Sequence, residues 1–140
     1  MEFDQILNNL KKKIYHPVYF LCGDEPYYTD IISDYIENNI LKPEEKGFDQ
    51  SVFYGKDTEI MLVLEACRRF PMMASQQVII VKEAQSWKNL QPLAKYLKAP
   101  SKTTILVINY KYGKPDGRTQ EAKEIKDKTV FLETKSLRDY

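Results

Sequence analysis

The residues that could carry chemistry are few, and the first to weigh is the turn Leu21-Cys22-Gly23-Asp24-Glu25-Pro26-Tyr27-Tyr28. It follows an apolar run and precedes a helical pattern, the place where open α/β folds bind ligands at the carboxyl ends of their strands. A phosphate cradle there needs G-x-x-x-x-G-K-[ST], with glycines for the backbone nest, a lysine for the phosphates and a hydroxyl for magnesium. One glycine is present, and the Lys and Ser/Thr are missing. Asp24 and Glu25 would repel phosphate, and Tyr27 and Tyr28 add bulk. A second test gives the same answer. Val78-Ile79-Ile80-Val81 is followed by Lys82 and Glu83, so a lysine stands where a magnesium-holding Asp would end the strand. Gly55-Lys56 and Gly113-Lys114 lack the flanking pattern and read as turns. Asn109 matches a polar sensor position at a strand end, where Asn is common in any case. ATP hydrolysis is therefore not expected, and an active nucleotide-binding enzyme of P-loop type is the alternative reading.

Other catalytic constellations fare worse. His16 is the only histidine, which excludes zinc sites needing several, and it reads as a residue before Pro17 at the start of a strand. Cys22 and Cys67 each sit in an apolar stretch and read as small buried thiols in a reducing compartment. No catalytic residue, metal or cofactor is expected. With 21 Lys+Arg against 20 Asp+Glu, the net charge of +1 argues against a domain that lives on phosphate contacts. No apolar run approaches the ~18 residues of a membrane helix. The N-terminal MEFDQILNNLKKK is amphipathic rather than signal-like, so a soluble cytoplasmic protein without a membrane partner is expected.

One stretch resists a bland account: Arg68-Arg69-Phe70-Pro71-Met72-Met73-Ala74-Ser75-Gln76-Gln77. It joins a helical pattern to a buried strand, where connections are normally short and polar. Both methionines could fold back as core plugs. Alternatively they form an exposed apolar hook that enters a partner's pocket, with Pro71 stiffening the approach. The pattern divides these readings evenly.

The elements that must position these residues follow from periodicity. Phe3, Ile6, Leu7, Leu10 and Ile14 mark a first helix, with Lys11 to Lys13 on its wet side. Val18 to Cys22 is a continuous apolar strand covered on both faces. Tyr28, Ile31, Ile32, Tyr35 and Ile36 mark a second helix with Pro26 in its first turn, stopped by Leu41-Lys42-Pro43 and Gly47 in a short loop. Val52 to Tyr54 is a brief strand. Asp57 or Thr58 is expected to cap a third helix with the stripe Ile60, Val63, Leu64, Cys67 and Phe70, ended by Pro71. Val78 to Val81 is a strand, Trp87 to Leu97 a fourth helix, and Thr104 to Asn109 a strand. A loop at 111–117, a polar helix at Arg118 to Lys126 and the strand Val130 to Leu132 complete the chain. A helix followed by five strands separated by four helices implies a three-layer α/β fold with a five-stranded parallel sheet. The 140 residues suit one domain.

Taken in order, several segments resemble the delta subunit of bacterial DNA polymerase III. They are Pro17 to Pro26, Phe48-Asp49 with Val52-Phe53-Tyr54-Gly55, Phe70 to Val81, and the closing Lys135-Ser136-Leu137-Arg138-Asp139-Tyr140. The resemblance implies a P-loop-NTPase-like domain of the AAA+ type, 1–140, with a degenerate nucleotide site at Gly23, Asp24 and Glu25. It implies a clamp-loader subunit of the DNA polymerase III holoenzyme, a DNA-directed DNA polymerase complex, with no catalysis in this domain. Family members open the ring-shaped sliding clamp (the beta subunit) by pushing two hydrophobic residues into a clamp pocket. Here that pair falls on Met72 and Met73, with Arg69, Phe70, Pro71 and Gln76 as neighbours, and Met-Met departs from the family's frequent Leu or Phe. Family chains continue into a lid and a collar domain, so the 140 residues are expected to be an N-terminal fragment. Assembly with gamma/tau and delta prime, and contact with primer-template DNA through the full assembly, would belong to the other parts.

Overall fold

The computed structural model describes residues 2–135. Met1 and residues 136–140, which include most of the closing segment compared with the family, lie outside the described residues.

The order is α1 (Phe3–Lys11), β1 (Val18–Gly23), α2 (Pro26–Asn39), α3 (Pro43–Asp49), β2 (Gln50–Tyr54), α4 (Ile60–Cys67), β3 (Gln77–Lys82), a 3₁₀ turn (Ala84–Ser86), α5 (Gln91–Tyr96), β4 (Thr104–Lys111), α6 (Gln120–Lys128) and β5 (Val130–Thr134). The five strands form one sheet in the order β2-β3-β4-β1-β5, and every pairing is parallel. Register follows from neighbours such as Val18 beside Leu106, Phe20 beside Phe131, and Ile80 beside Val107.

Why the apolar runs read as continuous is now visible. Side chains alternate across a strand, and both faces of this sheet are covered. Val18, Phe20 and Cys22 of β1 join a core with Ile79, Val81, Leu106 and Ile108, closed by Val63 and Cys67 of α4, Leu93 and Tyr96 of α5, and Ile125 of α6. Tyr19 and Leu21 face the opposite core with Ile80, Ile105 and Val107, closed by Ile6 and Leu10 of α1 and Ile32 and Ile36 of α2. A strand buried on both sides has no reason to alternate in polarity. At the sheet edge β2 does alternate partly, and Val52 and Tyr54 are exposed.

Four expectations are corrected. Pro43 begins a helix instead of stopping one, and Gly47 lies inside it, so five helices rather than four lie between the strands. Proline in a first turn loses no hydrogen bond, and Glu45 Oε1 accepts the Lys42 N–H at 2.9 Å, closing the turn from the side. The third predicted helix is capped by neither Asp57 nor Thr58. Both of their N–H groups bond the Tyr54 carbonyl in a turn, and the helix starts after Glu59. It also ends at Cys67, which takes Phe70 out of its buried stripe. Finally, Trp87 lies before α5 and not in it. A helix running from Trp87 would hold Pro92 in its interior and lose a backbone bond, so α5 starts at Gln91 and the Trp87 indole N–H donates to the Thr58 carbonyl at 2.8 Å.

Candidate functional site

The chain leaves α4 under unusual control. The Gln77 side-chain amide reaches back from the start of β3 and donates to the Ala66 and Arg69 carbonyls at 2.9 and 2.8 Å. The Thr104 hydroxyl donates to the Cys67 carbonyl at 2.7 Å. Carbonyls at a helix end have no partner within the helix, and these side chains satisfy them and stop the helix. Arg68 then lies over the Tyr96 ring, 4.3 Å from its centroid, and donates to the Ala99 carbonyl.

Beyond this brace the loop turns its apolar side chains outward. Phe70 is 82% exposed, Met72 76% and Met73 55%. Arg69 is exposed beside them, while Pro71 and Gln76 are half-buried. The core-plug reading of the methionines is therefore excluded. Gln76 points to a different part of the surface, a polar hollow of about 400 Å³ that it shares with Ser75, Ala74, Tyr15 and Lys42. Of the six residues singled out in sequence, four thus share one exposed ridge, Pro71 lies half-buried between them, and Gln76 lines the separate hollow.

What sequence reasoning missed is the group that shapes the ridge. Asp49, at the end of α3, is only 3% exposed. Its Oδ1 accepts the Met72 N–H at 2.5 Å, and its Oδ2 accepts the N–H groups of Met73 and Ala74 at 2.7 and 2.6 Å. Desolvation pushes the carboxyl pKa up, but the amides of Met72, Ala74 and Met73 outweigh it and hold it below its ordinary value. With the amides turned inward to Asp49, the attached side chains face out. No local pattern marks such a residue, since its partners lie 23 to 25 positions further on. A further exposed pair, Met61 and Leu62, was also missed. It had a signal, because the consecutive run Ile60-Met61-Leu62-Val63-Leu64 cannot all face one core.

The turn after β1 likewise bonds its amides within the chain. Gly23 has φ 116°, and a Cβ there would stand 2.0 Å from the Thr134 carbonyl oxygen, so glycine is required by backbone packing. Its N–H donates to the Gly113 carbonyl at 2.8 Å, and the Asp24 N–H donates to the Thr134 carbonyl at 3.0 Å. The Glu25 carboxylate accepts the Tyr27 N–H at 3.1 Å at the start of α2. Amides that would point at a phosphate are thus bonded within the chain. Nearby, Lys82 pairs with Glu37 at 3.6 Å and Lys111 with Asp30 at 3.1 Å. Asn109 is buried and donates to Ser33 Oγ and the Val81 carbonyl, tying β4 to α2 and β3.

The cysteines are buried and unpaired. Burial pushes both thiols up to about 12. Among the described residues no three His, Cys, Asp or Glu gather as a metal site, and no helix is long and apolar enough to cross a membrane.

A three-layer α/β domain with a closed strand-end turn and an apolar ridge beside its sheet is the class these features define. The chain belongs to the family of the DNA polymerase III delta subunit, whose family model matches residues 19–135. It is 30% identical to the DNA polymerase III subunit delta of Bacillus subtilis (strain 168) over 147 aligned positions, covering 98% of this chain and 42% of that protein. Among solved structures it is similar to the Bacillus subtilis DNA clamp loader delta protein, with a TM-score of 0.86 and 27% identity over 97% of this chain and 43% of the other. The chain spans less than half the length of either relative.

Proposed function

We propose that this domain acts in DNA replication as the part of a clamp-loader delta subunit that grips the sliding clamp, with Met72 and Met73 entering a pocket on the clamp surface. The observation that carries this reading is the joint exposure of Phe70, Met72 and Met73 on a loop braced at both ends. Three large apolar side chains held in water are unfavourable unless a partner covers them. Burying each methionine contributes roughly 1.5–3 kcal/mol before ordering costs, and Phe70 and the Arg69 guanidinium add to the anchor. Delta would open the ring by binding the sprung clamp interface better than the closed one, a population shift that needs no hydrolysis in this domain.

The strand order β5-β1-β4-β3-β2 supports an AAA+-type ancestry. The occupied amides at Gly23 and Asp24 support a degenerate nucleotide site at Gly23, Asp24 and Glu25. We assign the lid, the collar, the contacts with gamma/tau and delta prime, and the path to primer-template DNA to parts of the relatives that this chain does not cover. A cytoplasmic location goes with this role. In the test, immobilised sliding clamp is presented with the protein and with Met72→Ala/Met73→Ala, checked for folding by circular dichroism. Affinity is expected to fall at least about a hundredfold, the low end of what two buried methionines at roughly 1.5–3 kcal/mol each would supply. Unchanged affinity would remove the hook.

A further inference from the structure

We propose that Asp49 is a positioning residue for clamp capture, setting the direction in which Met72 and Met73 leave the surface before the partner arrives. The inference rests on the hook reading and extends it to a residue outside the loop.

Three consecutive N–H groups, of Met72, Met73 and Ala74, converge on this one carboxylate at 2.5 to 2.7 Å. Successive amides aimed at one anion form a concave backbone nest, and each bond to an ionised acceptor is stronger than its neutral counterpart. Among the described residues, Asp49 makes no ion pair with a lysine or arginine. Its buried charge is therefore held by these loop amides. Without the carboxylate, the amides would turn to water in several orientations, and the side chains attached to them would turn too. A methionine has three rotatable side-chain bonds, so a loop free to reorient would add backbone ordering to an already entropic side chain. Fixing the backbone beforehand removes that part of the cost from the binding step.

The position of Asp49 gives it this leverage. It sits where α3 hands over to β2, and it is joined to the hook through these three hydrogen bonds. The Gln77 and Thr104 bonds fix where the loop begins, whereas Asp49 fixes how its tip is turned.

The test is a double-mutant cycle in the full-length protein, read as affinity for immobilised sliding clamp, with amide hydrogen exchange of the segment 70–77 in the absence of clamp. Asp49→Ala is expected to lower affinity about tenfold, to abolish exchange protection at Met72, Met73 and Ala74, and to leave the Gln77 amide, which donates to the Thr103 carbonyl, protected. Asp49→Asn retains one carbonyl acceptor, should fall between the two, and serves in place of alanine if that variant does not fold. In the Met72→Ala/Met73→Ala background, Asp49→Ala should cost nothing further. A full penalty in that background would show a general structural role and overturn the proposal. Unchanged clamp affinity in Asp49→Ala, with the methionine variant impaired, would overturn it while leaving the hook intact. If the methionine variant itself binds normally, the hook reading falls first and takes this inference with it.

Discussion

The loop at 68–76 and the turn at Gly23 to Glu25 are both junctions between a helix and a strand of the central sheet, and in both the chain spends its backbone N–H groups on its own oxygens. In the turn, the Gly113 and Thr134 carbonyls and the Glu25 carboxylate accept the N–H groups of Gly23, Asp24 and Tyr27. In the loop, the acceptor is Asp49, which lies on the inner side, so the amides face in and Met72 and Met73 face out. The same device closes one surface and arms the other. What decides the outcome is whether the acceptor lies where a ligand would sit or behind the backbone.

Three measurements test this contrast. The largest effect is expected at Gly23. Gly23→Ala would combine a φ of 116° with a Cβ at 2.0 Å from a backbone oxygen, costing about 3 kcal/mol or more. Thermal unfolding should drop by on the order of 10 °C. A neutral result would mean that the turn is free to open, and the contrast would be lost.

An intermediate effect concerns acid. The Asp49 carboxyl lies below its ordinary value of 3.8 in the folded protein, so its ionised form favours folding. That contribution is fully present above the ordinary value and is lost as pH falls through the lower, folded one. Denaturant unfolding of the parent and Asp49→Asn should therefore differ by a constant amount from neutral pH down to about 5, and converge only in stronger acid. Convergence already near neutrality would show that the amides do not hold the charge.

The smallest effect expected is that of Mg-ATP, which should move the thermal midpoint by less than ~1 °C, because a ligand stabilises only what it binds. A shift of several degrees would reopen the turn as a nucleotide site and favour the active-enzyme alternative.

Much of the scaffold was legible in local pattern. The runs Val18 to Cys22, Val78 to Val81 and Thr104 to Asn109 read as strands because apolar, β-branched residues on both faces leave few other structures of that length. The failure of the phosphate motif at Gly23 to Tyr28 was equally plain, since the chemistry needs residue types that are absent. Less legible were the boundaries governed by proline. Pro43 and Pro92 each open a helix in the structure, whereas Pro43 read as a stop and Pro92 passed as helix interior. A proline marks a helix edge without saying which edge.

Residue types and their order were enough for the α/β alternation, the two-sided burial of the central strands, the absence of a phosphate-loop motif and the presence of an apolar Phe-Pro-Met-Met segment. These depend on residue types and their spacing along the chain. Only the tertiary structure decided that the sheet runs β2-β3-β4-β1-β5, that Gly23 is required by the Thr134 backbone, and that both methionines point to solvent. The last of these rests on Asp49 meeting amides more than twenty residues away, a pairing that exists only once α3, β2 and β3 have packed side by side. Polarity is a property of the residue, but the direction a side chain takes depends on what holds its backbone.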